Sequence, residues 1–408
     1  MAAPEPPALR RTLGTADAVT IGLGSMLGAG VFVALAPAAA AAGSALLIGL
    51  AVAAVVAYCN ATSSARLAVL YPQSGGTYVY GRERLGPFWG YLAGWSFVVG
   101  KTASCAAMAL TVGVYAWPAH AHTVAVAAVV FLTAINTVGV QKSAWLTKII
   151  VAVVLAVLAA VVVAIATSGG ADVSHLALHD ASVLGVLQAA GLCFFAFAGY
   201  ARIATLAEEV RDPTTTIPRA IRIALALVLV VYAAIASAVL AELGSAAMAS
   251  ATAPLADAVT AAGHPGLTPV VRVGATIAAL GSLLALILGV SRTALAMARD
   301  RHLPPALAVV HPRFETPYRA ELVVGAVVAV LAGVLDLRGA IGFSSFAVLV
   351  YYAIANASAF TLGAKLIPVA GLVGCLVLAV TLPVTSVLTG MAVLLVGAAL
   401  YAAVGRRV

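Results

Sequence analysis

Long apolar runs separated by short polar loops dominate this chain of 408 residues. A helix needs about 20 apolar residues to cross the hydrocarbon core of a bilayer, and several of the runs reach or exceed that length. Charged residues make up 9% of the chain, against about 25% in a soluble globular protein. The chain is therefore predicted to be an all-α polytopic membrane protein without a large soluble domain.

The apolar runs predict twelve transmembrane helices. Lysine and arginine indicate their orientation, because these residues concentrate in cytoplasmic loops. Of the 22 Lys and Arg residues, only Arg272 and Arg338 fall in outer loops, and Lys101 and Arg202 lie within spans. This segregation predicts a multi-pass protein of the plasma membrane with both termini in the cytoplasm. The predicted spans are 16–41, 44–70, 87–116, 121–140, 144–168, 182–207, 219–242, 266–298, 320–336, 340–361, 367–384 and 386–404.

Two of these spans, the first and the sixth, are interrupted by glycine near their middles. The first contains Gly24-Ser-Met-Leu-Gly-Ala-Gly30, and the sixth contains Phe194-Phe-Ala-Phe-Ala-Gly-Tyr200. A break inside the membrane frees backbone N–H and C=O groups that lipid cannot satisfy, so these groups must face protein, water or a ligand. Paired breaks in corresponding halves of a chain are typical of the central binding site of a transporter.

The spacing of the two interrupted spans predicts an inverted repeat. Five spans counted from each give spans 1–5 and 6–10, and because five is odd the second set crosses the membrane in the opposite sense. The predicted organisation is a cytoplasmic tail at 1–15, a first five-helix repeat at 16–168, a second at 182–361, and two additional helices at 367–404.

The broken spans offer complementary partners to an α-amino acid. A half-helix that begins inside the membrane presents free N–H groups to a carboxylate, and one that ends there presents free C=O groups to an ammonium. The amides around Leu27–Gly30, helped by Ser25, are the predicted carboxylate ligands, and the carbonyls around Phe195–Ala198 are the predicted ammonium ligands. Close helix packing is the alternative explanation for the first-span glycines. Core or lipid contact is the alternative for the aromatic residues of the sixth span.

Four stretches carry motifs of a known family. They are Gly22-Leu-Gly-Ser-Met-Leu-Gly-Ala-Gly-Val-Phe32, Tyr71-Pro-Gln-Ser-Gly-Gly-Thr-Tyr-Val-Tyr80, Phe194 to Pro218, and Ser291 to Phe314. In these stretches the chain resembles the amino acid–polyamine–organocation (APC) superfamily of secondary transporters, which share the leucine-transporter type of fold. The resemblance implies a 5+5 inverted repeat, alternating access and an amino-acid or amine substrate.

The resemblance also implies which positions line the pocket. Met26, Ala29 and Gly30 match pocket positions of the first span, and Phe195, Ala196 and Ala198 match those of the sixth. Glu208 and Glu209, at the cytoplasmic end of the sixth span, match a region that family members use in the inner gate, although a solvated helix end is the alternative. With the neighbouring backbone positions included, the predicted substrate-binding residues are Ser25, Met26, Leu27, Gly28, Ala29, Gly30, Phe195, Ala196, Phe197, Ala198 and Gly199.

Charged residues inside the spans are candidates for coupling or gating, together with Tyr200. Lys101 shares a helical face with small and polar residues of the third span, and burial favours the neutral form of a lysine, so it is a candidate for proton coupling. Arg202 departs from the family pattern and costs about 3 kcal/mol near mid-membrane, so it is expected to face the interior and to have a partner. Lys148 is expected to be an interfacial anchor.

The sequence therefore predicts a permease that moves a small or apolar neutral amino acid by alternating access. An antiporter of amino acids, polyamines or amines and a non-transporting membrane sensor are the alternatives. No enzymatic constellation, cofactor motif or metal-ligand spacing falls within the spans, and the four cysteines are predicted to be core residues. The predicted partners are the substrate, a coupling proton and the lipid bilayer, and no nucleic acid.

Overall fold

The computed structural model describes residues 13–71, 75–139, 144–178, 181–204 and 210–405. Within these ranges the chain is helical with no β-strand, and one parallel bridge joins Leu13 to Val210. The helices of the first half are α1 (Thr15–Met26), α2 (Gly30–Val33), α3 (Leu35–Ala42), α4 (Leu46–Leu70), α5 (Thr77–Leu85), α6 (Pro87–Ala116), α7 (Ala121–Thr137) and α8 (Ala144–Ser168). Those of the second half are α9 (Val183–Phe197), α10 (Ala201–Ala204), α11 (Pro213–Ser250), α12 (Pro254–Ala261), α13 (Thr268–Arg299), α14 (Tyr318–Val334), α15 (Leu337–Phe360), α16 (Leu366–Thr381) and α17 (Val384–Gly405).

Local sequence explains where several helices begin. Proline occupies the first turn of α6, α11 and α12, where its missing N–H would have had no helical partner. Ser182 caps α9 by accepting a hydrogen bond from the amide of Gly185, and Asp336 caps α15 in the same way from Gly339. These caps satisfy amides that a helix leaves free in its first turn.

Ten helical stretches of the described chain are long and apolar enough to cross a bilayer. Two helices at positions of predicted spans are shorter, because α14 has 17 residues and α16 has 16 residues. A 16-residue helix is about 24 Å long, which is less than the hydrocarbon thickness of about 30 Å. The structure therefore supports a polytopic all-helical membrane protein, whereas the count of twelve spans and the inverted repeat remain predictions.

The helices form two packed groups. One group contains α1 to α4 together with α9 and α11, and the other contains α6, α7, α13 and α14. Helices α8 and α15 contact both groups. Large apolar side chains point outward from the helices, among them Val334 and Leu366, and an outward apolar surface of this kind is suited to lipid.

The interrupted helices α1 and α9 belong to the same packed group. Backbone contacts join the segments that flank them, because the amide of Arg211 donates a 2.9 Å hydrogen bond to the carbonyl of Leu13, beside the bridge to Val210. The chain segments at the start of α1 and after α10 are thus tied together, although they are almost 200 residues apart in sequence.

Candidate functional site

The first interruption leaves three backbone amides without an acceptor. Helix α1 ends at Met26, and α2 begins at Gly30. The amide of Leu27 donates a 2.7 Å hydrogen bond to Leu23, so it continues the pattern of α1. The amides of Gly28, Ala29 and Gly30 have no acceptor among the hydrogen bonds of the described residues. The free donors therefore begin one residue later than Leu27, the first position predicted from the sequence.

The second interruption is a tightened turn. Helix α9 ends at Phe197, the 3₁₀ turn Ala198–Tyr200 follows, and α10 continues from Ala201. Two carbonyls of the predicted ammonium-binding set already have donors within the protein. The hydroxyl of Tyr232 lies 3.1 Å from the carbonyl of Ala196, and Nζ of Lys101 lies 3.4 Å from the carbonyl of Ala198.

The two interruptions lie in direct contact. A Cβ atom added to Gly30 would lie 2.6 Å from Cα of Ala196, and one added to Gly199 would overlap the carbonyl of Ser25. Only glycine allows backbones to approach this closely. The structure thus brings the predicted first-span and sixth-span residues together. All of them are buried except Ser25 and Gly199, which are partly exposed.

Tyr232 on α11 connects the two interruptions and was not identified from the sequence. Its hydroxyl lies 2.5 Å from the carbonyl of Met26 and 3.1 Å from that of Ala196. The ring packs edge-on against Phe197, with centroids 5.2 Å apart. A tyrosine in the middle of an apolar span carries a hydroxyl that must find a partner when buried. This position in the span is the sequence feature from which a role for Tyr232 could have been predicted.

Ser282 on α13 provides a further polar group beside the free amides. Its hydroxyl is buried without a hydrogen-bond partner among the described residues. It lies directly against Gly28, where an added Cβ would overlap it. Ser25, the serine predicted to help, instead donates its hydroxyl to the carbonyl of Ile21 at 2.9 Å. The available hydroxyl at the first interruption therefore comes from α13.

A family model for amino acid permeases matches residues 17–399. The chain belongs to the amino acid permease family. The resemblance identified from the sequence motifs is confirmed, and the chain is a multi-pass membrane protein of a transporter family.

Relatives of this permease share much of its length. It is 71% identical over 403 residues to an uncharacterized transporter of Mycobacterium tuberculosis, with 97% of this chain and 92% of the relative covered. It is 26% identical to the branched-chain amino acid permease BcaP of Bacillus subtilis, covering 81% and 76%. It is 29% identical to the human cationic amino acid transporter 4, covering 84% and 58%.

Lys101 of the permease is buried, as expected from its helical face, and its side chain reaches the turn after α9. Its side chain is 7% exposed, and its ammonium donates to the carbonyl of Ala198. Among the described residues, Lys101 and Glu321 are the only buried charged side chains. Lys101 connects α6 of one packed group with the interrupted helix of the other.

The other gating candidates lie away from the contact between the breaks or outside the described chain. Tyr200 is fully buried and packs against Tyr352, with ring centroids 5.1 Å apart. Arg202 is exposed and engages a neighbouring group, in agreement with the expectation that it has a partner. That its side chain faces the interior of the bundle stays a prediction. Glu208 and Glu209 lie outside the described residues.

A salt bridge to Asp17, in the first turn of α1, holds Lys148. Its ammonium lies 2.9 Å from Oδ1 of Asp17, and its side chain is half exposed. A partly exposed ion pair of this kind contributes about 0–1 kcal/mol to stability. The contact joins α1 to α8 close to the solvent, in keeping with the anchor predicted from the sequence.

Proposed function

We propose that this permease moves a small or apolar neutral amino acid across the plasma membrane by alternating access. The observation that carries the proposal is the group of free donors at the first interruption. Among the residues that the structure describes, the amides of Gly28 to Gly30 have no acceptor and the buried hydroxyl of Ser282 beside them has no partner. Buried donors without acceptors are uncommon and costly, so a ligand that accepts hydrogen bonds is expected there.

The substrate's carboxylate is the proposed acceptor. Backbone amides at the start of a half-helix carry partial positive charge and favour an anion. The hydroxyl of Ser282 adds a donor from the opposite packed group, so binding of the carboxylate would draw α1 and α13 together. The sequence prediction of a carboxylate site at the first break is retained, with Ser282 in place of Ser25 and without the amide of Leu27.

The substrate's ammonium is proposed to bind the carbonyls of the sixth-span turn. Lys101 donates to the carbonyl of Ala198, whereas the single proton of Tyr232 lies closer to Met26 than to Ala196. The ammonium would therefore use the other carbonyls of Phe195–Ala198 or displace Lys101. A second positive charge on the substrate would be repelled by the buried ammonium of Lys101. No buried carboxylate among the described residues belongs to α1, α9 or α10. These features favour a substrate with a neutral side chain.

Alternating access would consist of one packed group rocking against the other. Three contacts cross between the groups at the site: Lys101 with Ala198, Gly28 with Ser282, and Tyr115 with Phe32, whose carbonyl accepts from the tyrosine hydroxyl at 2.9 Å. Beside these polar contacts, Ala29 packs with Val112 of α6 and Ala279 of α13, so rocking must also separate a small apolar surface. In this scheme Lys101 gates the site from α6.

The names of the relatives support an amino acid as substrate. They differ in the class of amino acid, so the substrate's side chain is inferred from the residues of the site. One relative is named for branched-chain and another for cationic amino acids. The buried Lys101 favours the first of these two classes.

Uptake into proteoliposomes tests the proposal. We expect uptake of alanine, valine or leucine, little uptake of arginine, and none of the amines that lack the carboxylate of these amino acids. Ser282→Ala should weaken binding of the amino acid. Preference for arginine or a polyamine would favour the antiporter alternative, and failure to move any amino acid or amine would favour a sensor.

A further inference from the structure

Glu321 is a buried carboxylate that the proposed substrate site does not use. It lies in the first turn of α14 and is 0% exposed. Neither carboxylate oxygen has a hydrogen-bond partner among the described residues. Helix α14 packs against α7, α13 and α6, whereas the interrupted helices lie in the other group. Glu321 therefore sits inside the second packed group.

The surroundings of Glu321 supply few groups that could stabilise a negative charge. One helical turn further along α14, Gly325 packs directly against Thr133 of α7, whose buried hydroxyl also lacks a partner. The side-chain amide of Asn136 on α7 is committed to the carbonyl of Leu284 at 3.1 Å. The part of α7 that packs against this end of α14 is thus polar, but it carries no charge.

The charged and titratable groups on the other packed elements are few. On α13, Arg292 acts on Glu321 through its charge but forms no ion pair with it, and its side chain is exposed. On α6, Cys105 packs in the cluster that holds the next turns of α14. In the segment before α14, the ring of His311 packs edge-on against that of Tyr318, with centroids 5.5 Å apart. None of these groups donates a hydrogen bond to the Glu321 carboxylate.

A charged carboxylate in this position would be expensive. Removal of an ion from water costs several kcal/mol unless good hydrogen bonds or an ion pair replace the hydration. Addition of one proton removes the charge, because the carboxylate and a hydrogen ion combine to form a neutral carboxylic acid. A metal ion would need several oxygen ligands, and Glu321 and Thr133 offer only a carboxylate and a single hydroxyl.

We propose that Glu321 binds a proton in this conformation and releases it to the cytoplasm when the packing around it opens. The first turn of α14 follows a loop that the distribution of Lys and Arg assigns to the cytoplasmic side, so the released proton has a short path to water. Coupling of this proton to transport rests on the proposed amino-acid permease function. Protonation itself does not depend on that function.

Infrared difference spectroscopy of the purified full-length protein tests the protonation directly. Subtraction of the spectrum of Glu321→Gln from that of the wild type should leave the carbonyl band of a protonated carboxylic acid at neutral pH. Glu315→Gln is a matched control, because Glu315 is exposed and lies six residues before Glu321. The control difference should show an ionised carboxylate. An ionised carboxylate band for Glu321, or a band that shifts on addition of sodium, would overturn the proposal.

Transport in proteoliposomes tests the coupling. With an imposed pH gradient, Glu321→Gln should lose at least about tenfold in accumulation of the amino acid, while exchange of labelled for unlabelled amino acid continues. Glu315→Gln should behave like the wild type. Undiminished pH-driven accumulation in Glu321→Gln would refute the coupling. If the wild type moves no amino acid at all, the proposed function fails, and the infrared result still decides whether Glu321 binds a proton.

Discussion

Lys101 and Glu321 are both buried, yet the protein accommodates them in different ways. Lys101 lies where two interrupted helices meet and finds the carbonyl of Ala198 as an acceptor. Glu321 lies in the first turn of a regular helix and finds no donor among the described residues. The interruption frees carbonyls that can accept from an ammonium. The first turn of a regular helix also leaves amides free, but none of them donates to the Glu321 carboxylate.

The difference separates two tasks in space. The cation at the interruptions can keep its charge and act on the substrate, whereas the carboxylate in the second packed group is better accommodated as a neutral acid. Substitution of Lys101 should therefore change substrate selectivity, and substitution of Glu321 should change pH dependence.

Substitution of Lys101 should have the largest effect. Lys101→Met removes the buried ammonium, so the preference for leucine over arginine should fall by at least about tenfold, which corresponds to about 1.4 kcal/mol. Repulsion between two buried charges a few ångströms apart exceeds that value. Competition of unlabelled amino acids against labelled leucine measures the ratio.

Lys148→Met is the matched control for this change. It removes the same charge from a half-exposed position paired with Asp17, and selectivity should remain within about twofold of the wild type. If the two substitutions changed selectivity equally, the buried charge of Lys101 would affect the substrate no more than an ordinary surface charge does.

Separation of the two interruptions should have the next largest effect. Gly30→Ala places a Cβ atom 2.6 Å from Cα of Ala196, so the backbones must move apart, at a cost of about 1–3 kcal/mol. Transport should fall about tenfold or more. Gly289→Ala on α13 is the control, because an added Cβ meets nothing within 4 Å there. Full transport by Gly30→Ala would argue against a substrate held between the two breaks.

Loss of the Tyr232 hydroxyl should have a moderate effect. Tyr232→Phe leaves the carbonyls of Met26 and Ala196 without this donor, which costs about 1–3 kcal/mol. The melting temperature should drop by several degrees, with a smaller change in selectivity than for Lys101→Met. Thermal denaturation monitored by fluorescence measures the melting temperature. Unchanged stability would mean that water or another group satisfies these carbonyls.

The sequence allowed an all-helical polytopic membrane protein and the positions of the two interruptions to be predicted, because glycine placement and apolar length are local properties. The face of α6 that carries Lys101 also follows from helical periodicity. The acceptor of Lys101 could not be predicted, because it depends on how α6 packs against the turn after α9. The same limit applies to Ser282, whose contact with Gly28 joins positions about 250 residues apart.

Two further residues show the limit of local reasoning. The sequence did not predict that the Arg202 side chain is exposed. Glu321 lies at the edge of a predicted span, where a carboxylate is normally solvated, and its burial arises from the packing of α14 on α7 and α13. In both cases the exposure depends on which neighbouring helix covers the position, which no run of nearby residues encodes.

A half-buried cluster around Asp300 should give the smallest effect, and it contrasts with the surroundings of Glu321. The hydroxyl of Tyr78 on α5 donates to Asp300 at 2.5 Å, and Arg82 lies 2.8 Å from the same carboxylate oxygen. Nδ1 of His302 lies 2.9 Å from the Tyr78 hydroxyl. Because the single tyrosine proton goes to Asp300, Nδ1 of His302 must be the donor in that contact. Here the carboxylate has the donors that Glu321 lacks.

Burial lowers the pKa of His302, with an opposing effect from Asp300 and a smaller lowering effect from Arg82. The folded state therefore binds fewer protons than the unfolded state near the ordinary histidine pKa of about 6.5. The resulting contribution to stability is complete above that pH and decreases as the pH falls below it.

His302→Asn keeps a donor near Nδ1 but cannot titrate. Thermal denaturation at about pH 7.5 and about pH 5.5 should show a loss in the wild type that exceeds the loss in the variant by a few degrees at most. His120→Asn, on an exposed turn, should not reduce the loss, and an equal loss in His302→Asn and the wild type would remove His302 from the titrating groups.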